Sequence, residues 1–144
     1  MSLFSAISVG ASGMAAQRAR AEVLVENLAN AETTRTAEGG PYRRKDLVFE
    51  STGVASPFSS VFDQAFQSAN GVQVAGLVVD NRDPEKRYMP GHPDADSEGY
   101  VAFPRINPAE DMVDLMGASR GYEANVAAIS AVKDMIQRSI DLLR

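Results

Sequence analysis

The sequence predicts a mainly α-helical fold with a small β region, in which long N-terminal and C-terminal helices pair antiparallel as a coiled coil. Apolar residues at both ends of the chain recur in alternating steps of three and four, which is the spacing of a coiled-coil seam. Between the ends, short alternating stretches are separated by turns rich in Gly, Pro and Asn, which indicates short β-strands or a hairpin. Together these observations predict an α+β protein.

The same pattern divides the 144 residues into two parts. Residues 1–33 and 107–144 are predicted to form one discontinuous helical domain. Residues 34–106 are predicted to form a small β-rich or extended middle region, with a variable loop at residues 51–70.

The N-terminal helix is predicted over residues 2–31. Straight-chain and Ala-rich residues from Met14 to Leu28 favour helix, whereas the two glycines between Ser8 and Gly13 each cost about 1 kcal/mol relative to Ala. This weak stretch is interpreted either as a frayed terminus or as a surface that another backbone approaches closely in an assembly. The apolar residues predicted to face a partner helix are Leu3, Ile7, Met14, Leu24 and Leu28.

Three or four short strands are predicted in the middle region. They cover Tyr42–Phe49, Val72–Val79, Arg87–Met89 and Gly99–Phe103. The basic triplet Arg43-Arg44-Lys45 is interpreted as a solvated strand edge, because the surrounding sequence lacks the aromatic residues of a nucleic-acid surface. Within the variable loop, Phe58, Phe62 and Phe66 lie four residues apart, which fits either a short amphipathic helix or an irregular loop.

The C-terminal helix is predicted to begin with Asn107 as its N-cap and Pro108 as its first residue, with Glu110 able to reach back to the cap. If it continues to Leu143, it is roughly 54 Å long at 1.5 Å per residue. A chain this small cannot surround such a helix, so the helix needs a partner. The residues predicted to face that partner are Met112, Leu115, Tyr122, Val126, Ile129, Ile136 and Ile140.

Ser119 and Lys133 interrupt this predicted seam. Tyr122 and Val126 are expected at the centre of the helix pair. An isolated pair of helices leaves the flanks of its apolar stripes exposed, which favours an oligomer or filament over a monomeric bundle. The flanking residues expected to face neighbouring chains are Phe4, Val25, Met116, Val132, Met135 and Leu142.

Composition and motifs exclude several classes of protein. The formal net charge is −5, whereas a nucleic-acid binder presents a basic face. There is no Cys, and no basic residue precedes Arg18 in the apolar N-terminal run, so thiolate chemistry, a cleaved signal peptide and a membrane span are not expected. The sequence contains no nucleophile elbow, P-loop or dinucleotide fingerprint, and no catalytic, cofactor-binding or metal-binding residue is predicted.

Two features of the middle region were weighed as binding sites. His92 is the only His and is flanked by Pro and Gly, so it is interpreted as a turn residue. The stretch from Asp94 to Gly99 matches the first, third, fifth and sixth positions of a calcium loop, but the twelfth position is Arg105 where such loops carry Glu. A solvated turn is therefore the preferred interpretation, and a small calcium-binding module stays an alternative.

Two motifs carry a family resemblance. The first is Ala15-Ala16-Gln17-Arg18 followed by Asn27, Leu28, Ala29, Asn30 and Ala31. The second runs from Tyr88 through Pro90 and Gly91 to Asp96, continues with Gly99, Tyr100 and Val101, and is followed by residues 107–116 and 119–125. In these positions and this order the chain resembles the bacterial flagellar rod and hook proteins, an axial protein family, and within it the proximal rod members.

The resemblance implies a structural subunit and no enzyme. It implies export by the flagellar type III apparatus without a cleaved signal peptide, and a final location in the periplasmic rod of the basal body. It also implies assembly with other rod subunits and neighbouring basal-body proteins, including the rod–MS-ring junction protein, into a helical tube that transmits torque. No cofactor, nucleic acid or membrane insertion is implied, and a non-enzymatic coiled-coil adaptor remains an alternative.

Overall fold

The computed structural model describes residues 3–53 and 70–142. They form, in chain order, helix α1 (Leu3–Ala29), strands β1 (Lys45–Gly53), β2 (Asn70–Val79), β3 (Glu85–Tyr88) and β4 (Tyr100–Phe103), and helix α2 (Pro108–Asp141). The predicted fold class, mainly α with a small β region, is confirmed. The side chain of Leu3 and the aromatic residues Phe58, Phe62 and Phe66 lie outside the described part of the chain.

The two helices run antiparallel. A Cβ on Gly10 would lie 2.9 Å from Cγ1 of Ile129, and one on Gly13 would lie 3.0 Å from the side chain of Asn125. Gly121 of α2 faces Gln17 in the same way, so positions that advance along α1 meet positions that retreat along α2. The predicted antiparallel pairing of the terminal helices is therefore confirmed.

The glycines of α1 make this close approach possible. Because Gly lacks a Cβ, α2 side chains reach the α1 backbone, and packing offsets the weak helix propensity of this stretch. The group that approaches Gly10 and Gly13 is a side chain of the same chain. Within the single chain this close approach is made by α2, and the backbone oxygen of Asn125 lies 3.9 Å from the position of a Cβ on Gly10.

At every second step along α2, the buried residue lies one position before the residue that was predicted to be buried. Met112 and Ile140 are 57% and 51% exposed, and Tyr122 and Val126 are also exposed. In the single chain, α1 leaves these four side chains partly exposed, and Tyr122 borders the groove between the two helices. The residues of α2 that are buried or half-buried are the predicted Leu115, Ile129 and Ile136, together with Asp111, Asp114, Ala118, Gly121, Asn125 and Val132.

This shift has a physical cause. Choosing the most apolar residue at each helical step favours Met112 over Asp111 and Val126 over Asn125. Asp111, however, pairs with Arg44 next to β1, and Asn125 packs against Gly13 of α1. Ser119 and Lys133, which seemed to interrupt the seam, are exposed because the seam does not pass through them.

Most of the other seam predictions agree with the structure. On α1, Leu24 is buried, and Ile7, Met14 and Leu28 are half-buried. Of the predicted flanks, Phe4, Val25, Met116, Met135 and Leu142 are exposed, whereas Val132 is half-buried.

The cap of α2 forms as predicted. Asn107 has extended backbone angles, its side chain accepts a hydrogen bond from the Ala109 N–H, and Pro108 is the first helical residue. Pro at this position lacks only an N–H that had no helical partner. Glu110 and Asp111 follow in the first turn, where the helix dipole favours negative charge.

The strands form two antiparallel two-stranded sheets within the described residues. β1 pairs with β2, with an irregularity between Val48 and Phe49, and β3 pairs with β4. The β1–β2 ribbon lies along α1, since the Val72 N–H donates to the Ser12 hydroxyl at 3.1 Å near one end of the ribbon. The predicted strands are present with shifted ends; β1, for example, begins at Lys45 and not at Tyr42.

Candidate assembly interface

A buried cluster, here called the polar junction, ties the end of α1 to the start of β1 and the first turn of α2. It consists of Asn27, Tyr42, Arg44, Lys45 and Asp111. The fully buried side chain of Asn27 donates to the Lys45 carbonyl at 2.8 Å and accepts from the Lys45 N–H at 3.0 Å. A side-chain amide thus takes the place of a neighbouring strand at the first residue of β1.

Tyr42 completes the hydrogen bonds of Asn27. Its hydroxyl donates to Oδ1 of Asn27 at 3.0 Å. Burial, together with the nearby carboxylate of Glu26, raises the pKa of Tyr42 to about 12, so the phenol is protonated and remains a donor at neutral pH. The ammonium of Lys45 pairs with Glu26 and lies 5.5 Å from the centroid of the Tyr42 ring.

Arg44 and Asp111 link the junction to α2. Nη2 of Arg44 lies 2.9 Å from Oδ1 of Asp111, which is 1% exposed, and Nη1 lies 3.3 Å from Asp46. Burial lowers the pKa of Arg44, but the hydrogen bond that Arg44 donates to Asp111 and the surrounding carboxylates outweigh it and raise the pKa above its ordinary value. In the described part of the chain, Oδ2 of Asp111 has no hydrogen-bond partner, so Arg44 supplies the compensation for this buried charge.

This geometry corrects the interpretation of the basic triplet. Arg43 is exposed, as a solvated strand edge requires. Arg44 and Lys45 instead turn their charges toward Asp111 and Glu26. Sequence reasoning missed these partners because a basic run beside a strand carries no local signal of a distant carboxylate.

The N-terminal motif has two structural roles. Asn30 ends α1, because its side chain donates to the Glu26 carbonyl at 2.9 Å and its Oδ1 accepts from the Thr33 hydroxyl. Asn27 lies inside the helix and holds β1. Between and after them, Leu28 is half-buried, Ala29 is the last helical residue, and the Ala31 N–H donates to the Leu28 carbonyl.

The second motif forms the connection between β3 and β4, in which Pro90 and Gly91 begin the turn. Oδ1 of Asp96 accepts from the N–H groups of Glu98 and Tyr100 at 2.9 and 2.8 Å. The ring of Tyr100 packs edge-on against Tyr88. These bonds fix the entry into β4, whose Val101 and Phe103 are buried.

Asp94 attaches this connection to the segment after α1. Its carboxylate accepts from the Thr34 hydroxyl at 2.8 Å and lies 3.5 Å from Nη1 of Arg35. Two carboxylates of the calcium-loop alternative, those of Asp94 and Asp96, therefore bind protein donors. Among residues 3–53 and 70–142, no group of 3 or more His, Cys, Asp or Glu side chains is placed to hold a metal ion.

Gly99 provides a test of the second motif. It has φ +82°, and a Cβ there would lie 2.9 Å from Cε2 of Tyr88 and 3.2 Å from Cβ of Pro90. We expect Gly99→Ala to lower the free energy of unfolding by about 1–3 kcal/mol, because it adds both backbone strain and a clash. Urea denaturation measures this. The control is Gly91→Ala, where nothing lies within 4 Å of the added Cβ. Equal losses of unfolding free energy in the two variants would show that the turn does not require Gly at position 99.

The apolar stripe of α2 is wider than its contact with α1. At about 100° per residue, five of the uncovered residues lie within an arc of roughly 120°, whereas Val113, Met135 and Leu142 are exposed on another side of the helix. An exposed apolar surface of this kind indicates a protein–protein contact. We call this surface the outer flank; its members are Met112, Met116, Tyr122, Val126 and Ile140, which are 41–57% exposed.

A shallow groove between the helices borders the outer flank. Tyr122 lines it from α2, and Met14, Ala15 and Ala19 line it from α1. No helix in the described residues is both long enough and apolar enough to cross a membrane.

The regions that hold the motifs match known flagellar sequences. Residues 7–35 match the family model described as flagella basal body rod protein, and residues 97–142 match the model described as flagellar basal body rod FlgEFG protein C-terminal. The first range covers most of α1 and the N-terminal motif. The second covers β4 and α2.

Full-length relatives narrow the family. The flagellar basal-body rod protein FlgC of Borreliella burgdorferi is 38% identical over 154 residues, covering 100% of this chain and 99% of the relative. FlgC of Bacillus subtilis is 39% identical over 150 residues, covering 99% of each. FlgC of Salmonella typhimurium is 36% identical over 143 residues, covering 99% of this chain and 98% of the relative.

The matched helices and motifs place the chain among the flagellar basal-body rod proteins, a class of structural subunits. The three relatives come from different genera, match nearly the whole chain and are all FlgC proteins. They therefore identify the family within this class. The chain belongs to the FlgC family of flagellar basal-body rod proteins. The resemblance drawn from its motifs is confirmed.

Proposed function

We propose that this chain is a non-enzymatic subunit of the proximal rod, which joins other rod subunits in a helical tube that transmits torque across the periplasm. The observation that carries the proposal is the outer flank of α2, an apolar surface that the chain itself leaves uncovered. A contact between this flank and a different surface of the next subunit is heterologous. Such contacts generate an open helix when the rotation does not close into a ring.

The division of surfaces supports assembly through α2. Among the described elements, β1 and β2 contact α1, and neither contacts α2. One side of the helix pair is thus covered by strands of the same chain, and the outer flank is left for neighbours. We propose that the helical domain, residues 1–33 and 107–144, forms the wall of the tube and that residues 34–106 face outward.

The proposed partners are adjacent rod proteins, the rod–MS-ring junction protein and the flagellar type III export apparatus. We propose that the chain reaches the periplasm through this apparatus with its N-terminal segment intact. The packing of α1 supports this, because Gly10 and Gly13 lie against Ile129 and Asn125. Cleavage of the apolar N-terminal run as a signal peptide would remove that half of the helix pair.

A substitution on the outer flank tests the proposal. We expect Val126→Asp to reduce incorporation into rods strongly, because it places a carboxylate where apolar surface is buried between subunits. The helix content of the purified variant should be unchanged, since Val126 is 42% exposed in the single chain. Incorporation is measured by immunoblotting isolated basal bodies, and motility by the swimming halo.

Ala128→Asp is the matched control. It introduces the same charge two residues away, about 160° around the helix from Val126 and about 120° from Met116, at an exposed position. It should incorporate normally. Normal incorporation of Val126→Asp, or equal loss in both variants, would argue against the outer flank as the assembly surface.

A further inference from the structure

A small hollow lined by four arginines lies where three chain segments meet. Its volume is about 100 Å³, and the segments that form it span residues 39–44, 80–84 and 104–105. We call it the arginine hollow; its charged residues are Arg43, Arg44, Arg82, Arg105 and Asp80. Neither the helix pair nor the outer flank includes it.

The carboxylate of the hollow, that of Asp80, is already paired with Arg82. Nε and Nη2 of Arg82 lie 2.9 and 2.6 Å from the carboxylate oxygens of Asp80. Hydrogen bonds from Arg82, with a contribution from the charge of Arg105, lower the pKa of Asp80 to about 2. Asp80 is therefore ionised at neutral pH and is fully engaged by Arg82.

The guanidinium groups of Arg43 and Arg105 lie outside this ion pair. Nη1 of Arg43 donates at 3.1 Å to Oδ1 of Asn81, which is a neutral amide. Within the described residues, neither Arg43 nor Arg105 forms an ion pair, whereas Arg44 and Arg82 do. Both free groups are on exposed residues, so the chain presents a local positive site although its net charge is −5.

We propose that the arginine hollow docks an acidic, carboxylate-rich segment of a neighbouring subunit, an inference that rests on the proposed function. Guanidinium groups match carboxylates in geometry and charge. Pro41 and Pro84 also line the hollow and are half-buried, and their rings offer apolar surface to a peptide chain that a small free anion does not use. Acidic subunits repel one another at long range, and a local site of opposite sign orients their contact.

The test measures binding to the purified full-length chain. The probe is a fluorescently labelled oligoglutamate peptide, compared with an oligoglutamine peptide of the same length by fluorescence anisotropy at low salt. We expect the oligoglutamate peptide to bind the wild-type chain, and the Arg43→Gln/Arg105→Gln double variant to weaken that binding by at least about tenfold. The matched control, Arg18→Gln/Arg120→Gln, changes net charge equally and should alter binding by less than about twofold.

Several results would overturn the proposal. One is equal binding of the oligoglutamate and oligoglutamine peptides, and another is an equal loss of peptide binding in the control variant. A third is displacement of the peptide by inorganic phosphate at the same concentration of negative charge, which would indicate a site for free anions. Full incorporation of the Arg43→Gln/Arg105→Gln chain into rods would also overturn it. Because the peptide assay uses the isolated chain, its failure leaves the outer-flank proposal intact, and failure of the outer flank leaves the peptide result intact.

Discussion

Leu24→Asp is expected to abolish incorporation of the chain into the rod while leaving its synthesis unchanged. Leu24 is 4% exposed, so the substitution removes buried apolar contacts worth about 2–5 kcal/mol and adds the cost of burying a carboxylate. Ile129→Asp should act in the same way, because Ile129 packs directly against Gly10. Immunoblots of whole cells and of isolated basal bodies separate synthesis from incorporation.

Ser8→Asp is the control for this pair of variants. It introduces the same charge at an exposed position of α1 and should leave incorporation and swimming unchanged. Normal motility of both the Leu24→Asp and Ile129→Asp strains would exclude the helix pair as the element on which assembly depends.

Asn27→Ala is expected to lower the free energy of unfolding by about 3–5 kcal/mol, which is a large part of the total for a small domain. The substitution leaves the Lys45 N–H, the Lys45 carbonyl and the Tyr42 hydroxyl without the partner that each has in Asn27. It also detaches the first residue of β1 from α1. Urea denaturation followed by circular dichroism measures the loss.

Tyr42→Phe is the matched comparison, because it removes one of these three hydrogen bonds and keeps the ring. Its expected cost is about 1 kcal/mol. If Asn27→Ala proved no more costly than Tyr42→Phe, the side chain of Asn27 would not be the link between α1 and β1.

Local signals predicted the elements of this fold. The start of α2 at Asn107-Pro108 was recognisable because an N-cap and a first-turn Pro affect only the few residues next to them. Strand positions were recognisable for the same reason, since alternation and turn residues are short-range features. The ends of the strands shifted because pairing with a partner strand, and not local propensity, decides where a ladder begins.

Polar contacts between residues far apart in the chain could not be predicted from the sequence. Asn27 reaches Lys45 across 18 positions, and Arg44 reaches Asp111 across 67. Each residue also has an ordinary local explanation. Asn27 resembles a residue that ends a helix, Arg44 a charge on a strand edge, and Asp111 an acid in the first turn of a helix. The same limitation displaced the predicted seam of α2, because the contact with α1 includes Asn125, which a search for apolar residues passes over.

The central claim is that this chain enters the rod as an antiparallel helix pair, held by the polar junction, with the outer flank against neighbouring subunits. The most direct test is an image of the assembled basal body at a resolution that traces side chains. We predict density for α1 and α2 paired as described, with Asn27 on Lys45 and with Met116 and Val126 buried against another subunit. Density in which these two residues face solvent, or in which the helices separate to pair with other chains, would contradict the account.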